Sequence, residues 1–101
     1  MNSYAMVAVI GGKRYNTETA DLIADNAYWD GHNFERGGTN CFLFRTKNGN
    51  YFFQNLTQWE GCRDNLQPCT EEEAVEFWEN CRDNDKESFE TAFPNRAVVE
   101  A

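Results

Sequence analysis

The chain has 101 residues, 41% of them hydrophobic and 15% aromatic, with a formal net charge of −8. That length fits one domain, residues 1–101, with enough apolar and aromatic surface to fold without metal or disulfide staples. The charge argues against nucleic acid as a direct ligand, because phosphate binding needs patches of Lys and Arg. No apolar run approaches the roughly 20 residues that span a bilayer. The first apolar run lacks a basic flank typical of a signal peptide, so we expect a cytoplasmic protein.

The first predicted elements are a hairpin and a short helix. Residues 4–10 are strand-like and end at Gly11-Gly12, a turn dipeptide, after which residues 13–15 run back as a second strand. Asn16 or Thr17 is then a candidate N-cap, and the apolar residues that follow favour a helix over residues 17–24.

A second hairpin is predicted in the middle of the chain. Residues 26–40 mix aromatic and turn residues, which indicates one irregular strand between loops. Residues 41–46 and 50–55 are strand-like and are joined by Lys47-Asn48-Gly49, and Asn-Gly is a strong hairpin signal. We expect this hairpin at the centre of a sheet, followed by a loop over residues 56–69.

The last predicted elements are helical. Thr70 stands three residues before Glu73, which is the spacing of a capping box, and predicts a helix over residues 70–83. Its apolar face comprises Ala74, Phe77, Trp78 and Cys81. A shorter helix over residues 88–93 is stopped by Pro94. Together these elements predict an α+β fold, with an antiparallel sheet built from two hairpins and helices packed on one face.

The acidic residues are concentrated in the second half of the chain. Residues 1–50 contain five acidic and five basic residues, whereas residues 51–101 contain twelve and four. On the predicted helix, four carboxylates are spaced by four, three and four residues and share one face: Glu72, Glu76, Glu79 and Asp83. Lys86 is the only basic partner this spacing offers. Glu71 and Glu87 extend the acidic stripe, which is either a partner-binding surface or a solvated helix face.

Two tryptophans in predicted loops are further candidates for partner binding. Trp29 and Trp59 lie outside the regular elements, and tryptophan is a frequent anchor of protein interfaces. The alternative is that they close the edge of a small core.

Cysteine chemistry supplies the competing hypothesis. Cys41, Cys62, Cys69 and Cys81 contain no CxxC spacing, and His32 is the single histidine, so we expect no metal site and no cofactor. No catalytic motif is present, which favours a binding protein over an enzyme. A small cysteine-dependent enzyme or redox protein using His32 as base is the alternative. A structural module that forms a homodimer is the third hypothesis.

Three segments carry a resemblance to a known group of proteins. They are residues 12–20 (GKRYNTETA), 44–52 (FRTKNGNYF) and 70–74 (TEEEA). In this order they resemble a family of small uncharacterised proteins carried by phages, plasmids and conjugative elements of Gram-positive bacteria, over most of residues 12–80. The resemblance departs at residues 54–61, where the family has a glycine-rich stretch, and it implies no catalytic residues.

The resemblance implies a context in which small acidic proteins block host defence. An anti-CRISPR protein is one such case. Its carboxylates would occupy positions in a Cas protein that normally bind nucleic-acid phosphates. The expected partner is therefore a basic protein surface, such as that of a Cas nuclease or a Cascade-type subunit.

Overall fold

The computed structural model describes residues 5–25, 39–57, 64–81 and 83–96, and six strands and two α-helices lie in these segments. The strands are β1 (Val7–Ile10), β2 (Lys13–Asn16), β3 (Asp21–Asp25), β4 (Thr39–Arg45), β5 (Tyr51–Thr57) and β6 (Asn65–Cys69). The helices are α1 (Glu71–Glu79) and α2 (Phe89–Ala92), and a 3-10 turn spans Asp83–Asp85 between them.

The strands form two antiparallel sheets. β1 and β2 make a two-stranded sheet, and the other four pair in the order β3-β4-β5-β6. The α+β class is therefore confirmed, and so is the central position of the β4–β5 hairpin. The two predicted hairpins lie in separate sheets, because β3 and β6 take the two edges of the larger one.

Alternating side chains give the four-stranded sheet two buried faces. Leu43 and Tyr51 belong to a core cluster on the face that carries the helices, with Ala74 of α1 and Phe93 after α2. Residues of opposite parity form a second cluster against the β1–β2 hairpin: Phe42, Phe44, Phe52, Leu56 and Leu66, together with Tyr15. The sheet is thus covered by helices on one face and by the small hairpin on the other, consistent with a period of two along each strand.

Glycine shapes both hairpin turns. Gly11 and Gly12 have φ of 60° and 79°, the two positive values of a type I′ turn. In the central hairpin only Gly49 has positive φ, at 86°, and its amide donates to the Thr46 carbonyl at 3.0 Å. Both hairpins form where the sequence predicts them.

The predicted helix over residues 17–24 is wrong. The amides of Thr19 and Ala20 do bond the Asn16 carbonyl, so a helical turn begins there. It does not continue, because residues 21–25 pair with β4, and a bulge between Leu22 and Ala24 lets the adjacent Ile23 and Ala24 both be buried. Long-range strand pairing overrides the local capping signal.

The predicted loop over residues 56–69 is also partly wrong. Leu56 and Thr57 complete β5, and Asn65–Cys69 forms β6 against it. Pro68 disfavours a strand in the sequence, but β6 is an edge strand, where the missing amide proton is tolerated.

Helix α1 ends earlier than predicted. It stops at Glu79 with Asn80 as its C-cap, where the Asn80 amide bonds the carbonyls of Phe77 and Trp78 and its side chain donates to the Glu76 carbonyl at 2.9 Å. These bonds satisfy the last carbonyls locally. Asp83 therefore lies in the 3-10 turn and does not continue the helical stripe.

We predict that Thr70→Ala lowers the free energy of unfolding by about 1 kcal/mol, the usual cost of an N-cap. Thr70 Oγ1 accepts from the Glu73 amide at 3.1 Å, and this bond is lost. Urea unfolding measures the change. Glu76→Ala is the matched control, since Glu76 is exposed and caps nothing; an equal loss in both variants contradicts a specific role for the cap.

Candidate functional site

The start of α1 is fixed by a reciprocal capping box. The Thr70 side chain accepts from the Glu73 amide, and the Glu73 carboxylate accepts from the Thr70 amide at 3.0 Å. These bonds to Thr70 hold the pKa of Glu73 below its ordinary value. The Glu73 carboxylate therefore has a structural role in capping the helix. The acidic stripe on the outer face of α1 is formed by other glutamates.

An aromatic cluster holds the inner face of α1. Trp78 meets Phe89 edge-on at 5.4 Å and Phe93 at 6.2 Å between ring centroids, while Phe77 packs against Phe53 of β5 at 5.0 Å. Such edge-to-face pairs add to the area that the rings bury. The helix consequently presents its outer face in a fixed direction.

The outer face of α1 carries Glu72, Glu76 and Glu79, all exposed. Arg96 neutralises one end: its Nη1 lies 2.9 Å from Glu71 Oε1 and 3.7 Å from Glu72 Oε1. The hydrogen bond to Glu71 raises the pKa of Arg96. Arg96 is therefore a basic partner of the stripe that tertiary structure adds to Lys86, the partner expected from helical spacing. Glu76 and Glu79 form no ion pair with any residue that the structure describes.

Lys86 serves the fold more than it neutralises the stripe. Its Nζ lies 3.8 Å from the centroid of the Trp78 ring and donates to the Trp78 carbonyl at 3.1 Å. Asp83, whose side chain is fully exposed, is 3.9 Å from the same atom. An ion pair at that distance with one fully exposed partner contributes little. Lys86 thus covers Trp78 and leaves Asp83 facing solvent.

Glu87 is held by its backbone at the β3 edge of the four-stranded sheet. Its amide donates to the Ile23 carbonyl of β3 at 2.8 Å, and its carbonyl accepts from Trp78 Nε1 at 2.8 Å. The neighbouring residue Lys86 makes an antiparallel bridge with Ala24. These contacts carry the Glu87 side chain into a cleft beside β3, together with Asp21.

This cleft, which we call the β3 cleft, has a volume of about 440 Å³. Its lining comprises residues 20–23, Arg45, Glu87 and Thr91. A smaller cleft of about 190 Å³ continues along the same strand, and Asp25 and Asp85 contribute to its walls. The edge of β3 is therefore bordered by carboxylates.

Arg45 is the unusual residue of the β3 cleft. It is half-buried, and its Nε is shielded from solvent without a hydrogen-bond acceptor among the residues that the structure describes. A buried donor that lacks a partner costs about 1–3 kcal/mol, so each such group needs an explanation. An acceptor supplied by a bound molecule would remove that cost.

Asp21 and Arg45 are absent from the site that the sequence predicts. They face each other across β3 and β4 in the observed register. These two residues are brought together by the pairing of β3 with β4. The predicted helix over residues 17–24 is incompatible with that pairing, so the sequence alone does not place them at a site. Assigning residues 21–25 to a strand would have placed an acid opposite a base at a sheet edge.

The structure separates the residues that the sequence groups together. Glu72, Glu76 and Glu79 share the outer face of α1, Glu71 is paired with Arg96, and Glu87 lines the β3 cleft. The candidates Trp29 and Trp59, with His32 and Cys62, lie outside the described residues.

The thiols of the described cysteines are protected. Burial is the main cause that raises the pKa of Cys41 and Cys69 to about 12 and that of Cys81 to about 11. The Cys41 thiol also donates to Asn55 Oδ1 at 3.1 Å. Because the thiolate is the nucleophile, neutral thiols that are partly or fully buried are poorly suited to catalysis or redox exchange.

Within the segments that the structure describes, no group of three or more His, Cys, Asp or Glu side chains is placed to hold a metal ion. None of the described helices is long and apolar enough to cross a membrane. Comparisons with protein-family models, curated proteins and solved structures returned no match.

We predict that the three described cysteines react slowly with a thiol reagent at pH 8. A pKa of about 12 for Cys41 leaves a thiolate fraction of about one in ten thousand at that pH. The measurement uses Cys62→Ser, with the same variant unfolded in guanidinium as control, and the rate should rise as the pH approaches 11. A native thiol that is labelled at pH 8 as fast as the unfolded chain would contradict this account.

Proposed function

We propose that this protein is a small acidic binding module that occupies a basic, nucleic-acid-binding surface of a partner protein. The observation that carries the proposal is the outer face of α1, where Glu76 and Glu79 are exposed and make no ion pair with another described residue. Exposed carboxylates on a fixed helix are available to Lys and Arg of a partner.

The charge around α1 favours such an encounter. Residues 64–96 contain ten carboxylates and three basic residues, and of the basic residues Lys86 lies over Trp78 while Arg96 is paired with Glu71. An excess of one sign over a surface steers an oppositely charged partner and suppresses wrong ones. The electrostatic potential around α1 is therefore negative, which is complementary to the positive potential of a nucleic-acid-binding groove.

The spacing of the stripe suits competition with a phosphate backbone. With a rise of about 1.5 Å per residue, Glu72, Glu76 and Glu79 place three carboxylates along about 10 Å of helix axis. The packed inner face and the capping box hold this row in place. Little backbone entropy is then lost on binding, which is the benefit of preorganisation, although the glutamate side chains still lose rotamer freedom.

The resemblance to proteins of mobile elements narrows the class of partner. On that basis the module is an anti-CRISPR protein of the cytoplasm, and its target is a Cas nuclease or a Cascade-type subunit. It acts by competing with nucleic acid for Lys and Arg. This part of the proposal rests on the resemblance and not on the fold.

A homodimer is the second candidate, and one observation favours it. Val7 and Val9 on the outer face of β1 are 59% and 65% exposed, so the small hairpin offers an apolar strip. Sedimentation over increasing concentration distinguishes a dimer from a monomer.

The test of the main proposal is inhibition of target-DNA binding by a panel of Cas nucleases and Cascade complexes. We expect the protein to inhibit at least one, and Glu76→Lys combined with Glu79→Lys to weaken inhibition by at least about tenfold, or 1.4 kcal/mol. The inhibition should also weaken as salt is raised.

The single variants Glu79→Lys and Glu18→Lys provide the matched control. Both change the net charge equally, but Glu18 lies in the turn before β3 and not on α1. Only Glu79→Lys should weaken inhibition. Equal effects of the two variants would contradict a role for the α1 face, and failure to inhibit any complex would contradict the anti-CRISPR proposal.

A further inference from the structure

Among the residues that the structure describes, the outer edge of β3 carries an interrupted strand pairing. Ala24 bridges Lys86 in the antiparallel sense, and the Glu87 amide bonds the Ile23 carbonyl. Continued in the same register, the next positions of that strand would lie opposite Leu22 and Asp21. The chain instead leaves the sheet, because Ser88 caps α2, which starts at Phe89.

The β3 cleft lies at this interruption. Residues 20–23 form one wall, while Glu87 and Thr91 flank it where the chain turns into α2. Its volume of about 440 Å³ falls within the range of about 300–1,000 Å³ that is usual for ligand sites. Leu22, 40% exposed, adds an apolar contact. The β3 cleft thus lies where a further segment of strand would pair with the edge of β3.

The polar groups of the cleft define what would fit. Within the described segments Arg45 Nε is a buried donor without an acceptor, and a backbone carbonyl would satisfy it. Asp21 and Glu87 are exposed carboxylates at the same cleft, which a Lys or Arg side chain would neutralise. A purely anionic ligand is disfavoured by those carboxylates, and an apolar one would leave Arg45 unsatisfied.

We propose that the β3 cleft binds an extended basic peptide segment, which adds a short strand to the edge of β3. Its backbone pairs with the edge of β3 and accepts from Arg45, and its basic side chains meet Asp21 and Glu87. Strand addition of this kind takes affinity from main-chain bonds and specificity from alternate side chains. The inference rests on the proposed function in one respect: the segment belongs to the basic partner that α1 meets.

The test is an amide-detected NMR titration with three capped peptides of defined design. The probe is Ac-Val-Lys-Val-Lys-Val-NH2, whose alternation suits a strand edge. In Ac-Val-Lys-Pro-Lys-Val-NH2 the charges are kept but a backbone donor is removed. Ac-Val-Glu-Val-Glu-Val-NH2 reverses the charge. We expect shift changes at residues 20–23, Arg45, Glu87 and Thr91 with the first peptide, about tenfold weaker binding of the proline peptide, and no binding of the third.

Variants of the cleft then identify the contacts. Asp21→Asn should weaken the lysine peptide, whereas Glu18→Gln, which removes a carboxylate outside the cleft, should not. Arg45→Lys keeps the positive charge but removes the Nε donor, and should also weaken it; its amide spectrum reports whether the fold is kept. If Arg45→Lys does not fold, the effect of Asp21→Asn on binding of the lysine peptide decides whether the cleft residues contact it.

Three outcomes overturn the inference: no shift change at any peptide concentration, changes confined to the exposed face of α1, or equal binding of the proline peptide. The titration uses no nuclease, so its failure is separate from failure of the inhibition assay. Inhibition that is sensitive to Glu79→Lys without peptide binding would reject the cleft alone. Peptide binding at the cleft without inhibition would reject the anti-CRISPR proposal alone.

Discussion

Two hydrogen bonds at the backbone of Glu87 connect the parts of this molecule that carry its acidic surface. The amide reaches Ile23 of the sheet edge, and the carbonyl receives the indole N–H of Trp78 in α1. Each such bond contributes only about 1 kcal/mol net. Their importance is geometric, since they fix helix, connecting segment and edge strand to one another. Both candidate surfaces, the α1 stripe and the β3 cleft, take their positions from this connection.

The central hairpin supplies the rigid support for that arrangement. Phe52 is fully buried on the side of the small hairpin, stacked on Phe44 at 5.3 Å, while Tyr51 on the opposite side donates through its hydroxyl to the Ala92 carbonyl at 3.1 Å. One strand therefore anchors both layers. Aromatic burial of this kind explains how a chain of modest Leu, Ile and Val content folds. The carboxylates of Glu72, Glu76 and Glu79 are left exposed on the outer face of α1.

Local signals in the sequence predict the local parts of this fold well. The Gly11-Gly12 turn, the turn that ends at Gly49 and the capping box at Thr70 each depend on a few neighbouring residues, and all three occur as predicted. Local patterns do not predict strand β3, because its stability comes from pairing with β4, about twenty residues away along the chain.

The same distinction explains the candidate site. The outward direction of Glu72, Glu76 and Glu79 follows from helical periodicity and was predictable. The contact of Arg96 with Glu71, 25 residues away, and the meeting of Asp21, Arg45 and Glu87 in the β3 cleft depend on tertiary structure. The sequence therefore predicts the acidic stripe on α1. Its partial neutralisation by Arg96 and the β3 cleft are visible only in the three-dimensional structure.

The most direct measurement of the central claim is native-state hydrogen exchange at the Glu87 amide. Protection should be clear in the wild-type protein and should fall selectively in Trp78→Phe, which keeps a ring but loses the N–H that holds the Glu87 carbonyl. The Gly49 amide, bonded within its own turn, should be unchanged. A Glu87 amide that exchanges as fast as an unstructured chain in the wild type would show that this segment is not anchored, and would contradict the account.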